Sequence, residues 1–213
     1  MCITPETSIT TFIVASFINV IILNSTKNKD YITLAIIYQF VIFMQLFDFI
    51  AWIDQKCGLL NKIATKLSLM HTVLQPIFVS LICILLTDNK SLIKKGSIMI
   101  VLMIYISIIT HQLYYSKEPK AIDCMKPNNK CDHLQYKWWS NIGNYGFFYF
   151  ITPIALSFLL LLKSFNFALI NVIYLIISFG ISLLFYGCGA PSMFCLFAVG
   201  GPILNYILMQ NNV

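Results

Sequence analysis

The stretch Tyr31–Ile53, YITLAIIYQFVIFMQLFDFIAWI, decides the fold. It carries a single charged residue, Asp48, and it exceeds the ~20 residues that a helix needs to cross the hydrocarbon core of a bilayer. Six more apolar stretches of similar length flank it: Ser8–Asn24, Leu67–Thr87, Gly96–Tyr115, Ile142–Leu162, Phe167–Gly187 and Ala190–Met209. The expectation is an all-α polytopic membrane protein, a seven-transmembrane-helix bundle forming a single domain over residues 1–213. One longer extramembrane loop, 116–141, is too short for an independent core, which rarely forms below ~40 residues. Met1–Thr7 has no positive charge and contains Glu6, so the first span reads as a retained helix rather than a signal peptide.

Composition agrees. The chain is 59% hydrophobic and 10% charged, against ~25% charged residues in an average soluble domain. The net charge of +6 comes from lysines in the connections, where they lie against lipid head groups. A nucleic-acid partner has no support. A retinal pigment is excluded as well, because Ala190–Met209 contains no lysine for a Schiff base.

The connections Asn24–Asp30, Asp88–Lys95, Lys163–Asn166 and Gly187-Cys188-Gly189 are short, so neighbouring helices run antiparallel. Seven spans put the termini on opposite faces. The amino-terminal face then collects Cys2, Cys57, Cys124, Cys131 and Cys188, and the other face has no cysteine. Thiols gathered on one side suit a lumenal or extracellular amino terminus, with Cys124 and Cys131 as disulfide candidates. Lysines in short loops favour the carboxy-terminal face as cytoplasmic. The sequons Asn24-Ser25-Thr26 and Asn89-Lys90-Ser91 argue the other way.

Polar residues inside the spans cluster at one depth. Gln45, Asp48 and Trp52 share one face of helix two; Ser68, His71 and Gln75 share one stripe of helix three; Ser107, His111 and Tyr114 end helix four. Asn141, Asn144 and Tyr145 begin helix five, and Ser192 and Cys195 begin helix seven. A carboxylate in hydrocarbon costs at least ~2.5–3.5 kcal/mol, so Asp48 should face the bundle interior and meet a partner. Two readings stay open: a pocket in which Asp48 pairs with His71 or His111, and an interhelical network that only holds the bundle together. Binding contacts would come from Gln45, Trp52, Gln75, Asn144, Ser192 and Cys195. No HxxxH, HExxH or paired CxxC is present, so no metal site is assigned, Asp48, His71 and His111 being the only candidate ligands. No cofactor is indicated.

The Met1-Cys2 start, the Gln45-x-x-Asp48-x-x-x-Trp52 stripe, the Asn61 to Gln75-Pro76 region and the Ser192-Met193-Phe194-Cys195 run together resemble an uncharacterised multi-pass family. Its members occur in giant DNA viruses of the mimivirus type, with distant bacterial members beginning Met-Cys-Phe-Ser. All fourteen basic residues are lysine, the codon signature of an AT-rich genome, which fits such a virus. The resemblance implies a host or virion membrane and brings no established activity; Asp48 stands where relatives often carry Glu. The leading expectation is a polar pocket near the amino-terminal face that binds a small molecule or lipid head group. The alternatives are an intramembrane hydrolase or acyltransferase, metal-dependent or not, using Asp48, His71 and His111, and a structural membrane component.

Overall fold

The computed structural model describes residues 4–86, 90–115, 124–127, 134–135, 151–186 and 190–211. They form α1 (Pro5–Ser25), α2 (Lys29–Ile53), α3 (Leu59–Leu86), α4 (Lys90–Tyr115), a two-residue strand β1 (Lys126–Pro127), its antiparallel partner β2 (Leu134–Gln135), α5 (Thr152–Leu161), α6 (Phe165–Tyr186) and α7 (Ala190–Gln210). The all-α architecture stands. Among the described residues five helices, α1, α2, α3, α4 and α6, contain segments long and apolar enough to cross a membrane, as a multi-pass membrane protein requires. The expected fifth span, Ile142–Leu162, is described only from residue 151 onward, as α5.

Local capping sets the helix starts. The Thr4 hydroxyl accepts the Thr7 N–H at 3.2 Å ahead of Pro5, and the Asn28 amide oxygen accepts the Asp30 N–H at 3.0 Å. At α3 the Asp54 carboxylate accepts the N–H groups of Gly58 and Asn61, both at 3.0 Å. The cap starts α3 at Leu59, two turns before the expected Leu67, and shrinks the Asp54–Lys66 loop to a tight turn. Lys62 and Lys66 are charged but project from the exposed side of that helix, whereas Asn61, Ala64, Thr65 and Ser68 form its buried stripe.

Helix packing gives a ring. α2 packs on α3, α3 on α5, α5 on α6, α6 on α7, and α7 returns to α2; α1 lies outside against α2 and α7, and α4 outside against α3 and α5. Burial follows that plan. In their most apolar windows α1 and α4 are 22% and 17% buried, against 56% for α2. Exposed apolar side chains such as Phe17, Leu74, Val101 and Leu184 cover the outer surface, which suits acyl chains rather than water.

The interior divides into two cores. The larger fills the half toward the carboxy-terminal face, with Leu34, Tyr38, Ile42, Phe158, Leu161, Phe167 and Val199 among its members. Gly201 on α7 permits this packing, since a Cβ there would run into the Tyr38 ring, whose hydroxyl donates to Asn171 Oδ1 at 3.1 Å. The smaller core lies toward the amino-terminal face. It joins Met44, Ala51, Ala64 and Leu69 to Met125 and Leu134 from the loop after α4.

Candidate functional site

The described residues of that loop pack against the amino-terminal half. Met125 and Leu134 are fully buried, so the hairpin of β1 and β2 reaches down onto the ends of α2 and α3. Asn61 holds it there through both faces of its amide. Its Nδ2 donates to the Met125 carbonyl at 2.8 Å and its Oδ1 accepts the Met125 N–H at 2.9 Å, reproducing with one side chain the two-point pairing of adjacent strands. The same Nδ2 reaches the Ala51 and Asp54 carbonyls at 3.0 and 3.1 Å, satisfying acceptors left over at the end of α2. Thr65 Oγ1 also accepts the Met125 N–H, at 3.0 Å, while donating to the Asn61 carbonyl at 2.8 Å.

A covalent tie reinforces this seam. Cys57 and Cys124 form a disulfide with Cα atoms 5.6 Å apart, joining the α2–α3 turn to the residue before Met125. The expected Cys124–Cys131 pair is therefore corrected: Cys124 is bonded to Cys57, and Cys131 lies outside the described residues. The turn brings Cys57 within reach by holding it at φ 59°, a left-handed backbone that non-glycine residues rarely adopt. Next to this bond Met125 is held by three polar atoms, Asn61 Nδ2, Asn61 Oδ1 and Thr65 Oγ1.

Beneath the hairpin lie the expected polar residues. Gln45 and Asp48 are fully buried on α2, and both are engaged by neighbours. Trp52 is half-buried one turn further on. Ser68, Thr72, Gln75 and His71 line the inner stripe of α3, with His71 7% exposed. His71 Nε2 lies 2.7 Å from the Phe40 carbonyl of α2. A carbonyl only accepts, so Nε2 carries the proton. Nδ1 then accepts from Gln75 Nε2 at 3.3 Å, which makes the imidazole the neutral tautomer in this network. The ring also stacks on Phe40, with centroids 4.1 Å apart, and Phe40 stacks in turn on Phe78 at 4.0 Å.

The remaining expected site residues lie apart from this cluster or outside description. His111 is exposed on α4. Asn144 lies outside the described residues, as do the side chains of Ser192 and Cys195, whose backbone forms the start of α7. Among the described residues no group of three or more His, Cys, Asp and Glu side chains gathers, so Asp48, His71 and His111 do not form a ligand set. Chemically the cluster is suited to hydrogen bonding. Both His71 nitrogens have partners, and a role as base would first have to break the Gln75 contact.

Asn61, Thr65 and Met125 went unassigned from sequence. A signal existed in Asp54-x-x-x-Gly58-x-x-Asn61, an acidic cap ahead of a buried asparagine, but its partner sits 64 residues away. A cavity that the described residues line lies elsewhere, at the carboxy-terminal face between the α1–α2 and α5–α6 turns.

Comparison with protein-family models, curated proteins and solved structures finds no match.

Proposed function

We propose that this multi-pass membrane protein binds a small molecule or lipid head group in the polar half beneath the hairpin, through Asp48 and Gln45 of α2, while the expected Asp48–His71 pair is replaced by His71 held on the Phe40 carbonyl and Gln75. The observation that carries the reading is the burial of the Asp48 carboxylate: it is fully enclosed in a bundle that places it against hydrocarbon-length helices. A charge at that depth is expensive and is retained where it serves a ligand, a relay or a partner. The pinned hairpin supports the same reading, because it buries Met125 and Leu134 against this half of the bundle. A hydrolase or acyltransferase draws less support, since the His71 ring is committed to Phe40 and Gln75.

The disulfide supports placing the amino-terminal face in the lumen or outside the cell, where such bonds persist. Membership of the giant-virus family, with a host or virion membrane as its location, completes the proposal and rests on the sequence resemblance.

The test is lipid and small-molecule mass spectrometry on protein purified in mild detergent, comparing wild type with Asp48→Asn and His71→Ala. The reading expects a co-purifying species that Asp48→Asn loses while the Cys57–Cys124 bond and the melting temperature hold. Identical profiles in all three proteins would leave the cluster a purely structural network.

A further inference from the structure

The opposite mouth of the bundle carries different chemistry. A cavity of about 990 Å³ opens at the carboxy-terminal face, where α1 turns into α2 and α5 into α6. Its rim bears three lysines, Lys27, Lys29 and Lys163, and its walls are Leu86, Leu92, Leu161 and Leu162. Among the described residues the one carboxylate lining it is Asp30, which is 8% exposed: Oδ1 accepts the Lys163 backbone N–H at 3.0 Å and Oδ2 that of Ser164 at 2.7 Å. Asp30 thus closes the α5–α6 turn onto the start of α2. Gly96 lets α4 press in close by; a Cβ there would run into Ile84 and lie 3.3 Å from Leu161.

From this juxtaposition we infer that the cavity is a binding site for an anionic phospholipid, the phosphate held by Lys27, Lys29 and Lys163 and the upper acyl chain laid along Leu86, Leu92 and Leu161. A free anion leaves the leucine wall uncovered. A zwitterionic lipid brings its own cation to a rim that already has three. An anionic lipid matches both parts, and the volume falls in the ~300–1,000 Å³ range of ordinary ligand sites. The site is independent of the polar half beneath the hairpin and shares no residue with it.

Native mass spectrometry of the purified full-length protein tests this, by titration with phosphatidylglycerol, phosphatidylcholine and soluble glycerol phosphate. Wild type should bind one phosphatidylglycerol in preference to phosphatidylcholine, with glycerol phosphate unable to displace it. The Lys27→Gln, Lys29→Gln, Lys163→Gln triple variant should lose affinity on the order of a hundredfold, at about fivefold for each lysine. Leu92→Trp, which fills the slot and keeps every charge, should lose it as well. Lys94→Gln with Lys95→Gln, exposed on α4 away from the rim, should bind like wild type. Equal losses in the rim and α4 variants would overturn the site in favour of general surface charge. Displacement by glycerol phosphate, or undiminished binding in Leu92→Trp, would overturn the lipid assignment.

Discussion

The two halves of this bundle solve opposite problems. Toward the amino-terminal face polar side chains point inward: Asn61, Thr65, Ser68, His71 and Gln75 are all buried on α3, and they are satisfied by backbone carbonyls, by one another and by a loop drawn down from above. Toward the carboxy-terminal face the interior is mainly apolar, with isolated buried polar groups such as Asn171 and Asn205, and charge is held at the rim around a slot walled by leucines. The first half is specified by directional bonds, each of which is costly to break in a low-dielectric interior. The second is specified by shape, with Gly96 and Gly201 setting how closely helices approach. Damage to the first should therefore be local and large, and damage to the second should scale with volume.

The largest effect is expected for Asn61→Ala. It removes the donors and acceptor for Met125, Ala51 and Asp54 together, leaving buried backbone groups at ~1–3 kcal/mol each, so a loss of about 4 kcal/mol is expected. Thermal unfolding and limited chymotryptic proteolysis read it, with new cleavage after the buried Leu134 preceding global melting. Cleavage spread evenly over both halves would erase the distinction drawn above.

Gly201→Ala comes next and probes the other half. The added methyl meets the Tyr38 ring, which is 1% exposed and has no room to swing, so about 1–3 kcal/mol should be lost with the hairpin still protected. A silent Gly201→Ala would mean that α2 and α7 are less closely apposed than described.

Asn205→Leu should shift stability the other way. Asn205 is fully buried on α7, and neither its Nδ2 nor its Oδ1 has a hydrogen-bond partner among the described residues. Replacing it with a side chain of similar volume removes an unpaid desolvation cost and should raise stability by about 1–2 kcal/mol. A fall in melting temperature would show that the amide has work in the folded protein.

What was legible in the sequence follows the range of the interactions. Membrane-length helices are written locally in runs of apolar residues, and the buried stripe Ser68, His71, Gln75 is written in helical spacing. The partner of His71 was invisible because it is the Phe40 carbonyl, a group that every residue carries. Met125 on Asn61 and Cys57 on Cys124, 64 and 67 residues apart, carry no local signature, and Cys131 stood nearer to Cys124 along the chain. Lys62 and Lys66 misled for a simpler reason. Two charges in one turn read as loop, although a helix keeps them on its outer side while Asn61 and Thr65 face in.

The most direct test of the latched amino-terminal half is disulfide mapping by tryptic digestion of alkylated, unreduced protein. Lys56, Lys62, Lys120, Lys130 and Lys137 separate Cys57, Cys124 and Cys131 into three peptides. The account predicts a linked pair carrying Cys57 and Cys124 that falls apart on reduction. A link between the Cys124 and Cys131 peptides, or free alkylated thiols at both Cys57 and Cys124, would contradict it.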